Sequence, residues 1–309
     1  MKSKTKKALL LLASTVVFIF IIFKSIVGFA DFLDVVKNVK MSFLGLAVVV
    51  GFTGPVLSTL RWQMALSLNG ARTRFAKIFS VIMAAWPLSL LPARAGDFVR
   101  SYPLRHEINP AVSVSATIFE KIIDISALLL ISGFGFFYLE LYGYGLFFFL
   151  LAISLIPLLF LAKTILRYLP EFVSKKLGAL FVTFRFADLG SKFFGFALTA
   201  SLINWLASMA ELYLLFAAFG ARVALADVMA YLPLAIFIGL LPITIAGIGT
   251  RDSAIVAFFL SQATPAQSLA AGVGYSFIGY FLFAIIGIPF FVREFGLLSG
   301  DHDVRDAIP

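Results

Sequence analysis

A long apolar sequence is interrupted twice by the same kind of segment, LLPARAGDFVR from Leu90 to Arg100 and LLPITIAGIGTRD from Leu240 to Asp252. Each runs from Leu-Leu-Pro through small residues and glycine to paired charges. Pro92 and Pro242 each remove a backbone donor, and Gly96, Gly247 and Gly249 relax the helix, so backbone polar groups come free among apolar residues. Hydrocarbon tolerates free backbone only where protein or a water-filled cavity surrounds it. An ordinary membrane helix is therefore excluded at both places. Such breaks, duplicated in corresponding halves of a chain, point to the binding site of a transporter.

That a membrane is the relevant solvent follows from composition. Hydrophobic residues make up 61% of the 309 residues and charged residues only 13%, with a mean hydropathy of +1.02, far from the soluble range. At roughly 20 apolar residues per span, the length suits one domain of six to eight spanning or partly spanning segments. No stretch is polar and long enough to form a separate soluble catalytic domain. Without cysteine, disulfides and thiolate metal sites are excluded. His106 and His302 are the only histidines, so zinc and haem are not expected, nor is any other cofactor. The formal net charge of +9 is read as topology and headgroup contact, not as nucleic-acid binding.

Along the chain, residues 1–7 form a basic leader and 8–29 a retained apolar span. Residues 31–40 are a short charge-balanced segment at the interface, followed by a span over 41–66. The first hairpin occupies about 75–105. Spans over 111–139 and 146–162 follow, joined by a turn at 140–145. Residues 163–192 carry six Lys or Arg alternating with Leu, Phe and Val, the pattern of an amphipathic surface helix. A span over 193–219, a second hairpin at about 229–260, a last span over 269–292 and a polar tail at 293–309 complete the reading. If the first hairpin enters from the cytoplasm and the second from outside, 19 of the 25 Lys and Arg fall on cytoplasmic segments, as the positive-inside rule requires. Treating either hairpin as a complete span inverts every later loop. The expected fold is an all-α polytopic protein of the cell membrane with about six full transmembrane helices, two oppositely oriented re-entrant helical hairpins and both termini cytoplasmic. One hairpin from each face is the pattern of an inverted repeat, with chance similarity of Leu-, Pro- and Gly-rich segments as the alternative.

Two polar stripes stand out inside spans. Ser113, Thr117, Glu120 and Asp124 are spaced 4, 3 and 4, so they share one helical face. Carboxylates there are costly and point to function; an ion pair with Lys121 or an arginine of the first hairpin is the structural reading. Ser201, Asn204, Ser208 and Glu211, spaced 3, 4 and 3, form the second stripe. Ser201 and Ser208 are read as interhelical hydrogen bonding, while Asn204 and Glu211 stay open between packing and binding. Arg94, Asp97 and Arg100 lie on the returning arm of the first hairpin, where guanidinium forks suit phosphate oxygens. Arg251 and Asp252 hold comparable positions after the second break. Arg61 and Trp62 read first as a snorkelling and aromatic anchor, although Arg61 would stand near the first hairpin.

Arg61-Trp62, LLPARAGDFVR, the run Glu120-Lys121-Ile122-Ile123-Asp124 and LPITIAGIGTRDSA resemble, in order and spacing, the lysylphosphatidylglycerol synthase transmembrane family of flippase-like proteins. The resemblance extends over about 8–292. It implies a polytopic lipid-handling fold, as in the membrane half of the bacterial multiple peptide resistance factor, which moves aminoacylated phospholipid between leaflets. Other relatives are linked to hopanoid or polyprenyl-linked glycolipid metabolism. It also implies Arg61, Arg94, Gly96, Asp97, Arg100, Glu120, Asp124, Pro242, Gly247, Gly249, Arg251 and Asp252 as site candidates. Unlike the bifunctional synthases, these 309 residues hold no cytosolic aminoacyl-transfer domain. Where the family pattern often has an acidic residue soon after the second Gly-Ile-Gly, Arg251-Asp252 stands here.

The leading expectation is a non-enzymatic lipid flippase or transporter. It would move a phospholipid or polyprenyl-linked glycolipid headgroup, anionic or zwitterionic, through a central polar cavity. The alternatives are a membrane transferase using Glu120 or Asp97 as general base, and a non-catalytic partner of a separate lipid-modifying enzyme. Homo-oligomerisation is also left open.

Overall fold

The computed structural model describes residues 13–17, 20, 27–67, 70–90, 96–166, 191–241 and 243–296. The leader, most of the first apolar run, Pro92, Arg94, Pro242, the amphipathic segment over 167–190 and the tail beyond 296 lie outside the described residues. Every regular element among the described residues is helical. They are α1 (Phe29–Lys37), α2 (Met41–Gly51), α3 (Thr53–Ser67), α4 (Phe75–Ala85), α5 (Gly96–Val99), α6 (Pro110–Tyr138), α7 (Tyr142–Leu166), α8 (Ser191–Ala218), α9 (Leu225–Leu240), α10 (Thr250–Phe258), α11 (Pro265–Ser276) and α12 (Phe283–Glu294).

Local chemistry explains the boundaries. Pro55 cannot donate to the Gly51 carbonyl, and the helix steps at Phe52 between α2 and α3. Pro110 opens α6, with Asn109 as the cap accepting from the Ala111 amide at 2.9 Å. At the start of α11, Thr264 and Gln267 form a reciprocal capping box with Pro265 at the first position. A π-helical stretch, Phe277–Leu282, joins α11 to α12.

Three helical stretches are long and apolar enough to cross a membrane, Met41–Ser67, Phe194–Ala218 and Pro265–Glu294; Phe75–Ser89, Tyr142–Leu155 and Leu225–Leu240 are shorter apolar helices. Large apolar side chains such as Phe134, Phe147, Leu150, Ile203 and Ile285 are exposed on the outside of the bundle. An outward apolar surface of this kind belongs to a protein solvated by lipid.

Both sequence interruptions break helices. After α4 the chain tightens into a 3-10 turn, Trp86–Leu90, and resumes as α5. After α9 it passes through the short 3-10 turn Ile245–Gly247 before α10. Backbone freed at the second break finds partners on the first apolar run: Ser14 Oγ donates to the Ile243 carbonyl at 2.5 Å, and the Ile245 amide donates to Thr15 Oγ1 at 3.0 Å. Free backbone within an apolar body is thus met by protein hydroxyls, as the solvent demands.

The apolar interior falls into two main clusters. One gathers Met209, Leu212, Phe216, Ile255 and Phe259 around α8, α9 and α10. The other gathers Trp62, Ile78, Val81, Phe119 and Ile123 around α3, α4 and α6. α6, whose 29 residues extend about 43 Å at 1.5 Å per residue, packs on α3, α7, α8 and α9. Its Gly135 passes so near α9 that a Cβ there would lie 2.4 Å from the Ala230 nitrogen, and Ser132 Oγ donates to the Ala230 carbonyl at 2.8 Å.

Candidate functional site

Ser113, Thr117, Glu120 and Asp124 do share one face of α6, and all four are buried. The stripe faces α3 and the first break. Arg100, just after α5, is ion-paired with Glu120 and donates through Nε to Thr117 Oγ1 at 3.2 Å. Its guanidinium lies over the Trp62 ring, 4.5 Å from the centroid. Lys121, a step around the helix, reaches Asp97 at 2.5 Å.

Arg61 and Trp62 are not at an interface with lipid. Trp62 is wholly buried and Arg61 is 6% exposed. Arg61 is ion-paired with Asp124, lies 3.5 Å from Glu120, and donates to Ser58 and Ser201, each at 3.2 Å. Snorkelling requires a free route to the aqueous boundary, and here α6 and α8 cover the side chain on the bundle side of α3. The pair serves as the inner contact of three helices.

Between the two apolar clusters lies a cavity of about 140 Å³. At one end its wall contains Arg61, Asp97, Arg100, Glu120, Lys121 and Asp124. Along α8 the second stripe continues it, with Asn204, Ser208 and Glu211 on the wall. Ser201 instead donates to Asp124 at 2.9 Å, and Ser208 shares a hydrogen bond of 2.6 Å with the Tyr275 hydroxyl. Both serines therefore tie helices together. Tyr275 and Tyr280 close the far side.

Arg251 and Asp252 stand one layer behind those tyrosines. Arg251 lies 4.7 Å from the Tyr280 ring centroid and 5.3 Å from that of Tyr275. It donates to Ser276 Oγ at 2.5 Å, and Ser276 lies 2.8 Å from Asp252 Oδ1. The other Asp252 oxygen accepts from the Gly249 amide at 3.0 Å, closing the first turn of α10. Gly247 and Gly249 have φ of +76° and +88°, conformations that glycine adopts without steric cost. These four residues brace the second break rather than line the cavity. Gly96 serves the first break in a different way: a Cβ on it would meet the Leu88 carbonyl carbon at 2.3 Å, so α5 can lie directly against the turn before it.

The family model described as the lysylphosphatidylglycerol synthase TM region matches residues 8–287. The chain belongs to this family. Among curated proteins, this member of the lysylphosphatidylglycerol synthase TM family is similar to a UPF0104 membrane protein of Methanocaldococcus jannaschii. The two are 25% identical over 93% of this chain and 95% of the relative.

Within this family member, several residues of the site escaped sequence reading. Tyr275, Ser276 and Tyr280 sit in the last apolar stretch, where they look like ordinary packing residues. A signal was nevertheless present, since Gly272, Ser276 and Tyr280 recur every fourth position and so mark one helical face. Glu294 is a second omission: it binds Lys77 at 2.6 Å and Ser80 at 2.6 Å, fastening the end of α12 to α4.

Proposed function

We propose that this protein carries a lipid headgroup between leaflets through the cavity bounded by α3, α6, α8 and the α11–α12 bend, while the acyl or prenyl tails remain in the bilayer. The observation that carries the reading is the buried network of Arg61, Arg100, Glu120 and Asp124 on the wall of a cavity within an otherwise apolar body. Charge in such a place is expensive and is associated with substrate or ion pathways. Both arginines already have carboxylate partners, so a headgroup phosphate would take guanidinium hydrogens by exchange with Glu120 or Asp124. Exchange of one partner for another avoids leaving either arginine uncompensated during passage. Family membership supports a lipid-related role.

The test is leaflet transfer in proteoliposomes, using fluorescent phosphatidylglycerol, phosphatidylethanolamine and a polyprenyl phosphate with an impermeant quencher. The intact protein is expected to speed transfer of at least one of them, and Arg100→Ala combined with Glu120→Ala to abolish the gain. Transfer unchanged by the double substitution for every lipid would overturn the reading. A covalently altered lipid in the same vesicles, seen by mass spectrometry, would favour a transferase instead.

The proposed membrane layout has six full spans, hairpins entering from opposite faces, and both termini in the cytoplasm. The absence of native cysteine makes it directly testable. Tyr142→Cys and Arg222→Cys are expected to react with an impermeant maleimide in intact cells, and Arg72→Cys only after permeabilisation. Labelling of all three from outside would remove the layout.

A further inference from the structure

The described charged groups on the cavity wall do not balance. Among the described residues three cations, Arg61, Arg100 and Lys121, face four carboxylates, Asp97, Glu120, Asp124 and Glu211. Asp97, Glu120 and Asp124 each have an ion-pair partner. Glu211 has none among the described residues, and its Oε1 is buried without a hydrogen-bond partner. The residue is 5% exposed, and the open volume it borders is the cavity itself.

Among the described residues, no cation on the elements around Glu211 makes an ion pair with it, although Arg251 acts on it electrostatically from further off. α2 has no titratable residue, and its Gly51 lies so close that a Cβ there would be 3.6 Å from Glu211 Oε2. α3 offers Arg61, already committed to Asp124 and Glu120. α6 offers Glu120, Lys121 and Asp124, all paired. α9 contributes Tyr231, packed against Phe258 and Phe259, and Asp227 in its first turn. α10 brings Arg251, whose Nε lies 3.9 Å from Asp252 and which donates to Ser276. α11 brings Tyr275, tied to Ser208, and Tyr280 follows it. With no ion-pair partner among the described residues, this buried carboxyl group is open to a balancing positive charge from the cavity that it borders.

We propose that Glu211 is a proton-binding site on the cavity wall, loaded and emptied through cavity water, and that it couples lipid movement to proton movement. The coupling rests on the reading of the cavity as a lipid passage; the proton site does not. The step is a simple transfer: a hydronium ion in the cavity gives its proton to a Glu211 carboxylate oxygen and is left as water, and a water later takes the proton back as hydronium. Placement suits the role. Glu211 shares α8 with Asn204 and Ser208 on the same wall, and α8 reaches the arginine network through Ser201, so charge on Glu211 and occupancy of the arginines act on one helix.

Two measurements on the full chain test this. Infrared spectra of the protein in lipid nanodiscs, titrated with acid and base, are expected to show a protonated-carboxyl band that is lost in Glu211→Gln and recovered in Glu211→Asp. A titration identical in the wild type and Glu211→Gln overturns the proposal. In proteoliposomes carrying fluorescent phosphatidylglycerol, an imposed pH gradient is expected to change the wild-type transfer rate, and Glu211→Gln to lose that dependence. Transfer that follows a sodium gradient and ignores a pH gradient overturns proton coupling while leaving the lipid passage standing. A Glu211-dependent band with no lipid transfer supports the proton site and overturns the passage.

Discussion

Replacing Arg61 with alanine is expected to lower the stability of the folded helical bundle by about 3–5 kcal/mol, the range for removing one partner of a buried ion pair. The loss is large because Arg61 is a hub. It is paired with Asp124, stands 3.5 Å from Glu120, and donates to Ser58 on its own helix and to Ser201 on α8. Among the described residues, its removal leaves the buried Asp124 carboxylate with only the Ser201 hydroxyl at 2.9 Å. Unfolding in detergent, followed by circular dichroism against denaturant, measures the change. Arg61→Ala combined with Asp124→Asn should recover a substantial part of it, because the stranded charge is then gone. Equal destabilisation by the single and double variants would show that Arg61 acts through packing and not through charge. Arg61→Lys is expected to recover little, since an ammonium lacks the planar fork that serves several acceptors at once.

Gly247→Ala is the second change with a large expected effect, at the break bracing α9 against α10. Two costs act there. The φ of +76° places a Cβ in the left-handed region, at about 1–2 kcal/mol. That Cβ would also lie 2.6 Å from the Gly239 carbonyl oxygen, and overpacking of this kind costs about 1–3 kcal/mol more. The obstacle is backbone, so a side-chain rotation cannot relieve it. Gly195→Ala makes the control: nothing lies within 4 Å of the added methyl, and in α8 alanine should be neutral or stabilising by up to about 1 kcal/mol. Thermal unfolding of the two variants is expected to separate them clearly, with Gly247→Ala also losing lipid transfer as the second break shifts against Tyr275 and Tyr280. A Gly247→Ala protein as stable as Gly195→Ala would mean that the break has room to rearrange.

The two predictions concern residues whose roles were unequally legible. Gly247 could be singled out because glycine five residues after a proline in an apolar run has few explanations. Arg61 was harder, since an arginine and tryptophan near the end of an apolar stretch have the same appearance whether they turn outward to the lipid boundary or inward to the bundle. Periodicity revealed the faces of α6 and α8. It did not reveal that Ser201 and Asp124 meet, or that Arg61 lies between them, because spacing within one helix contains no information on which helix stands opposite.

The sequence by itself determined that the chain is helical and solvated by lipid, that two apolar segments must break, and that polar stripes run along two of the long helices. Those properties follow from local chemistry: hydropathy, the missing donor of proline, and the 3.6-residue helical period. Only the tertiary structure decided how the charges are shared. It gave Arg61, Arg100 and Lys121 carboxylate partners, put Arg251 and Asp252 to bracing the second break, and left Glu211 facing the cavity without an ion-pair partner among the described residues. Ion pairing depends on separations of a few ångströms between residues far apart in the chain, and it is the packing of one helix against another that sets them.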